Sequence, residues 1–327
     1  MAVGPARCIR RVVYDAYDIR VWYPSPYPLE STEDVSTLHV CAGCFRYVES
    51  LALLHRHRRV CRHRHPPGRK VYQRGAHTIW KVDGALQKLY VQNLCLFGKL
   101  FIDHKTVCFD VEPFVCYLVT DASSQFDHVL GFFSKEKISY DHYNLACIVI
   151  FPPFQRKGYG TLLMEYSYYL SRGEGIAGTP ERPLSALGIR GYVAFWTTRV
   201  LRTLQNAFDP GNLSARRIRA ILAGVSDLPE PPTRKRKISQ RGWAGELVDD
   251  AITPESNLPD VTLPKSTTLA RIAAASDMRV EDTTLALAYA DLLVESDGVF
   301  FLVRAAIDAA VKRLRMKPPI LDEAYVL

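Results

Sequence analysis

What this 327-residue sequence lacks narrows it first. It has no run of about 18 consecutive apolar residues, so no transmembrane helix and no membrane partner are expected. The stretch from Met1 to Arg11 carries arginines but no apolar run ahead of a cleavage site, so no secretory signal is read there. The eight cysteines (Cys8, Cys41, Cys44, Cys61, Cys95, Cys108, Cys116 and Cys147) are therefore expected as reduced thiols and metal ligands, not as a disulfide framework. Internal repeats are absent. So are the P-loop pattern, Gly-x4-Gly-Lys-Ser/Thr, and the dinucleotide fingerprint. Acid is in short supply: 34 Asp and Glu stand against 42 Lys and Arg, a net charge of +8. That balance favours nucleic acid, chromatin or other acidic neighbours.

What is present suits a globular protein, with 48% hydrophobic and 23% charged residues. The length allows one large domain with appendages or a few compact lobes. Val12 to Tyr14 and Ile19 to Trp22 read as short strands, ended by the prolines at 24, 26 and 28. After a Cys/His cluster between Cys41 and His65, strands are expected at Thr78–Val82, Leu89–Val91, Val107–Phe109, Phe114–Thr120 and Leu130–Ser134, and a short helix at Leu94–Phe101. Leu145 to Phe151 is almost wholly apolar and reads as a central strand buried on both faces. Helical spacing follows from Gly158 to Leu170 and from Ser185 to Leu204. Residues 209–265 are rich in proline, carry the basic run Arg234-Lys235-Arg236-Lys237 and show little periodicity; they read as a long, partly disordered insertion. The run suits a nuclear localisation signal or a solvated linker. Helix, turn, helix and strand then follow between Leu269 and Val303, the order of a winged helix.

Two patterns carry chemistry. Cys41, Cys44, His57 and Cys61 are spaced Cys-x2-Cys-x12-His-x3-Cys. Two thiolates on a tight knuckle grip one side of a zinc ion, and a His and Cys four residues apart on one helix face close the tetrahedron. Four ligands leave no position for water, so the zinc is structural; His55, His63 and His65 stand as substitutes for His57. The second pattern is the turn from Gln155 to Thr161, between the apolar strand and a helix. Gly158 and Gly160 let the backbone approach a ligand, the first helical N–H groups point outward, and Arg156 and Lys157 add positive charge, so a pyrophosphate fits there. The same glycines also suit a turn whose only demand is geometric. The Arg- and His-rich stretch from His55 to Arg64 is a candidate for nucleic-acid phosphates or a solvated face.

The turn resembles the acetyl-CoA pyrophosphate loop of the N-acetyltransferase superfamily. The segments around it are similar to the MYST histone acetyltransferases: Asp18 to Pro28, the zinc finger, Tyr90 to Leu96, Leu100 to Thr106, Asp110 to Phe114, Gly131 to Lys137 and Thr179 to Ser185. The resemblance runs from about Val12 to Leu204. It implies an α+β fold: an N-acetyltransferase-like mixed-sheet core (residues 71–205), an N-terminal zinc finger lobe (1–70) and a C-terminal winged-helix-like region (206–327). It implies acetyl-CoA as co-substrate, histone tails as substrate with histone four foremost, chromatin-complex subunits as partners, and the nucleus as location. Glu181 matches the family's general base, which a lysine ammonium with a reference pKa near ~10.4 requires before it attacks a thioester. Cys147 matches the active-site cysteine, either as an acetyl carrier or as a shaper of the site. The backbone of Ile148, Val149 and Ile150 is expected to pair with the pantetheine arm, Gln155, Arg156, Lys157, Gly158, Tyr159, Gly160 and Thr161 to hold the pyrophosphate, and Ser185 to contact the cofactor. Lys105 matches the lysine that the family autoacetylates.

This sequence departs from the family at Ala186, where an acid is usual, and at Gly191 and Ala194, where serines are usual. Beyond Asn206 the likeness is loose. Two other readings remain at this point: a catalytically weak zinc-finger and winged-helix module that binds chromatin, and a small-molecule N-acetyltransferase.

Overall fold

Short strands with one apolar face open the chain. β1 (Arg11–Tyr14) buries Val12 and Tyr14 and pairs antiparallel with β2 (Tyr17–Arg20). β3 (Thr37–Val40) lies parallel to β1, and β4 (Tyr47–Val48) completes a four-stranded sheet of order β2-β1-β3-β4. α1 (Leu51–Val60) follows, capped by the Ser50 hydroxyl, which accepts from the Leu53 N–H. The computed structural model describes residues 9–29, 36–122, 125–208, 213–223, 267–296 and 299–327.

A second sheet of order β5-β6-β7-β8-β9 is antiparallel throughout: β5 (Arg69–Arg74), β6 (His77–Asp83), β7 (Phe114–Ala122), β8 (Asp127–Glu136) and β9 (Cys147–Ile150). α2 (Lys88–Lys99) lies between β6 and β7. A 3-10 turn (Pro152–Phe154) leads from β9 to α3 (Tyr159–Gly173), and α4 (Ala186–Ala207) starts at the Ser185 cap. The remainder is α5 (Leu213–Ala223), α6 (Leu269–Ala275), α7 (Val280–Tyr289), the hairpin of β10 (Val294–Ser296) and β11 (Val299–Phe301), and α8 (Arg304–Arg313). Helix–turn–helix–hairpin is the order expected of a winged helix.

The core falls into two clusters that meet at α3. One takes Val12, Tyr14, Leu38 and Phe45 from the first sheet together with α2, the second sheet and Leu162, Leu163 and Tyr166 of α3. Tyr14 stacks on Phe45 at 5.7 Å and contacts Phe97 of α2 at 5.0 Å, so the N-terminal lobe and the second sheet share one interior, with no break near residue 70. The other cluster joins Tyr168 of α3 to Tyr192, Trp196 and Leu201 of α4 and to Ile272, Leu287 and Ile307 of α6, α7 and α8. The Trp196 indole N–H donates to the Tyr168 hydroxyl at 2.6 Å and ties α4 to α3.

Four expectations change. Leu89 to Val91 is the start of α2, because Tyr90, Val91, Leu94 and Phe97 recur at helical spacing toward the core while Leu89 faces solvent. Val107 to Phe109 is loop, with Cys108 alone turned inward. The apolar strand is at the edge of its sheet, not the centre. Within the insertion, residues 213–223 form α5; Arg234 to Lys237 and most of the rest lie outside the described residues.

Asp282 of α7 is fully buried, accepts from the Thr179 hydroxyl at 2.8 Å and pairs with Arg182. Removing it strands both donors. Asp282→Ala is expected to cost on the order of 2–4 kcal/mol in urea denaturation, Arg182 being partly in water. A loss under about 0.5 kcal/mol, the range of ordinary surface changes, would show that these contacts do not hold the C-terminal region in place.

Candidate active site and metal centre

The metal centre forms where β3 turns into β4. The Cys41 N–H donates to the Arg46 carbonyl and the Phe45 N–H to the Cys41 carbonyl, both at 2.9 Å, which folds Cys41 to Cys44 into a knuckle. Phe45 sits at φ 59, a left-handed conformation held by its fully buried ring. α1 supplies the other two ligands across its last turn, where the Cys61 N–H donates to the His57 carbonyl at 3.0 Å. The ligand atoms of Cys41, Cys44, His57 and Cys61 lie within 4.8 Å of one another, with His57 Nε2 3.2 Å from Cys44 Sγ. Of the alternatives to His57, His65 stacks on Trp80 at 4.8 Å and His63 packs on Tyr90, while His55 is exposed on α1 and outside the ligand cluster. The hydrogen bond from Cys44 lowers the Cys41 thiol, so a thiolate is available in this pair. Three sulfurs and one imidazole complete a four-ligand set and fit a structural zinc.

The second centre is organised by β9. Phe151 donates to the Leu130 carbonyl, so by antiparallel alternation Cys147 and Val149 face β8 while Ile148 and Ile150 turn their polar groups to the open edge. Upstream, that edge is briefly covered: the Asn144 N–H donates to the Thr179 carbonyl at 2.9 Å and the Glu181 N–H to the Leu145 carbonyl at 2.8 Å. The two segments then part. Glu181 is left at one end of the open strip and the Gln155–Thr161 turn at the other.

That turn keeps its donors free. Gly158 caps α3 at φ 92 and Arg156 sits at φ 61. Among the described residues, the N–H groups of residues 156 to 161 meet no backbone acceptor; the first such bond is Leu162 to the Gly158 carbonyl. Arg156 and Lys157 are exposed. Gln155 points its amide inward and donates to the Ile150 carbonyl at 2.8 Å, fixing the end of the strand, and the Tyr159 hydroxyl meets His77 Nε2 at 3.2 Å. A row of open N–H groups at the positive end of a helix binds phosphate oxygens.

Around Cys147 lies a cluster of titratable groups. Burial pushes its thiol up; Glu181 adds to that and Lys105 opposes it. Glu181 is exposed, and its carboxyl is raised from its ordinary value by desolvation and by the Glu136 charge, against the pull of Lys105. Lys105 is buried at 7% exposure, unlike most lysines. Burial favours losing its proton, but the surrounding Cys95, Cys147, Cys116 and Cys108 outweigh that and raise it. Ser185 caps α4, its oxygen accepting from the Gly188 N–H at 3.0 Å, which leaves the hydroxyl hydrogen to donate. A Cβ at Gly191 would stand 3.2 Å from the terminal methyl of Met164 on α3, a flexible neighbour. Reading the sequence did not single out Glu136, Ser134, which faces Cys147 across the strands, or Asp282, which holds the loop of Glu181. Each lies in an ordinary polar context, and only the strand register or the tertiary fold brings it to the site.

Metal analysis of the purified protein is expected to give one zinc per chain, lost in His57→Ala and in Cys61→Ser and kept in His63→Ala. Loss of the metal is expected to cost several kcal/mol of stability, since binding to such a site is coupled to folding. Full zinc content in His57→Ala would remove that residue from the ligand set.

Residues 6–61 match the MYST family zinc finger domain and residues 65–224 match the MOZ/SAS family. The histone acetyltransferase KAT6A of Rattus norvegicus and that of Homo sapiens are each 43% identical over 203 residues, 62% of this chain and 10% of those proteins. KAT6B of Macaca fascicularis is 45% identical over 193 residues, 59% of this chain and 11% of that protein. The chain thus spans about a tenth of the length of the curated relatives it matches. Among solved structures, an aminoglycoside acetyltransferase from an uncultured soil metagenomic sample aligns with 33% of this chain and 78% of its own, at 12% identity and a TM-score of 0.25, a likeness too slight to carry weight. The finger match, the MOZ/SAS match that follows it almost without a gap, and relatives at 43–45% identity are of one kind, and this chain belongs to the MYST family.

Proposed function

We propose that this chain transfers an acetyl group from acetyl-CoA to lysine side chains of histone tails, histone four foremost, and works on chromatin in the nucleus. The observation that carries this reading is the open strip of β9, with free phosphate-type donors at one end and a carboxylate of raised proton affinity at the other. The relatives named histone acetyltransferases support the substrate. Exposed Arg56, Arg59 and Arg62 on the metal lobe support contact with chromatin phosphates. A catalytically weak binding module accounts for the lobe and leaves the strip and its two ends without a use.

Acetyl-CoA supplies the activated acetyl thioester. The N–H groups of the Gln155–Thr161 turn hold its pyrophosphate, with Arg156 and Lys157 nearby, and Ile148 and Ile150 pair with the amides of its pantetheine arm as an added strand would. Ser185 donates its free hydroxyl hydrogen near the thioester end. Glu181 would take a proton from the incoming lysine ammonium; the freed amine attacks the thioester carbonyl, the carbon–sulfur bond breaks, and the sulfur leaves with the electron pair and takes up the proton that the nitrogen loses as it becomes an amide. Cys147 is raised and therefore a protonated thiol near neutral pH, which favours direct attack by the amine, with Cys147 shaping the site. Lys105 lies beside Cys147 and inside the fold, so its acetylation proceeds from the chain's own site.

Acetylation of the four core histones, with the modified lysines mapped by mass spectrometry, tests substrate and site together. Glu181→Gln is expected to lower kcat/KM by about 10²–10⁴-fold, and Cys147→Ala by no more than about tenfold. Full activity in Glu181→Gln at neutral pH would sink the assigned base. The base works ionised, so kcat/KM falls as pH drops through the raised pKa of Glu181. Glu136→Gln removes a charge that raises Glu181 and is expected to move the acidic limb to lower pH; an unmoved limb would assign it to another group.

A further inference from the structure

Residues 317–327 lie beyond residue 224, where the MOZ/SAS match ends, and they return from α8 to the first core cluster. Leu321 and Val326 pack against that cluster, Val326 bridges Tyr72, and the Leu327 N–H donates to the Val71 carbonyl at 3.0 Å. The segment is fastened from three elements. Glu165 of α3, only 6% exposed, accepts the N–H groups of Ile320 and Leu321 on one oxygen at 2.8 and 2.7 Å. Arg202 of α4 stands 3.5 Å from the other oxygen of Glu165 and donates to the Lys317 carbonyl. Arg74 of β5 donates to the Ile320 carbonyl at 3.5 Å. A carboxylate is costly to bury unless backbone donors and a cation meet it, and these do.

The consequence falls on Ile320. Its Cδ1 lies 2.9 Å from the place a Cβ on Gly158 would take, so it rests against the residue that caps α3 and bends the donor turn. We infer that residues 317–327 are part of the cofactor site: Glu165 anchors the segment on α3, and Ile320 braces Gly158 so that the turn keeps its N–H groups aimed at the CoA pyrophosphate. This rests on the acetyl-CoA reading above. Glu165 and Ile320 are positioning residues; neither touches the reacting atoms. Preorganised donors bind an anion without first being ordered, so the loss appears in cofactor affinity and not in the chemical step.

The test is CoA binding by isothermal titration calorimetry on the full chain, beside steady-state kinetics. Ile320→Ala and Glu165→Ala are expected to raise the Kd for CoA and the KM for acetyl-CoA by about 5–20-fold with kcat within about twofold, and Ile320→Val, which lacks the Cδ1 that meets Gly158, to show a smaller loss in the same direction. Ile320 is partly exposed, so its variants carry the test even if Glu165→Ala does not fold. CoA affinity within about twofold of wild type in Ile320→Ala, or a lowered kcat at unchanged KM, overturns the inference. A wild-type chain that binds no CoA sinks the cofactor reading and this inference together; one that binds CoA but acetylates no histone strikes the substrate assignment alone.

Discussion

Everything in the second centre depends on leaving the N–H groups of residues 156 to 161 without a partner. A chain normally satisfies such groups, and at a helix start it does so with a side-chain cap. Here Gly158 offers none, and Arg156 accepts a left-handed conformation that costs about 1–2 kcal/mol for a residue with a Cβ. The turn holds this shape because its approaches are rigid. Phe154 is buried and packs edge-on against Tyr17 and His128, at 5.1 and 5.3 Å, and Gln155 locks onto the end of β9. On the far side α3 is fixed to both core clusters. Strain at a turn braced in this way signals a binding role more than imperfect folding.

The same reasoning explains why β9 is an edge. Its residues read as core because they are apolar, yet the strand is only half-buried. An open edge is ordinarily a liability for aggregation, and proteins keep such edges short or covered. Here the open strip runs only from Cys147 to Ile150, shielded upstream by the Thr179–Glu181 segment and ended downstream by the Gln155 side chain. What remains open is of a size for a ligand arm and small for another sheet.

The legible parts of the sequence were those set by local chemistry. The four metal ligands could be read from spacing because a knuckle and one helical turn are short-range objects, and the choice among histidines waited on which rings pack elsewhere. The helices after Gly158 and Ser185 and the winged-helix order were legible from periodicity and caps. Position in the sheet was not, since an apolar run does not say which neighbour it lacks. Nor was the burial of Lys105, because four cysteines scattered between positions 95 and 147 surround it only after α2, β7 and β9 pack. The shared interior of the metal lobe and the second sheet was equally hidden: the aromatic contacts that join them link residues as far apart as Tyr14 and Phe151.

The loop that carries Glu181, the proposed base, shows how the C-terminal region bears on the proposed site without touching it. Glu181 sits on a segment with no regular structure of its own, held on one side by β9's lead-in and on the other by Asp282, with the Gly178 N–H bound to the Asp277 carbonyl at 3.1 Å. A carboxylate on a free loop would relax toward water and toward its ordinary proton affinity. Fixed here, it stays near Glu136, and that charge together with the desolvation from its surroundings outweighs the attraction of Lys105. The raised affinity that suits a base thus comes from a tertiary clamp, and the buried Asp282 that supplies it lies in the part of the chain where the family likeness is weakest.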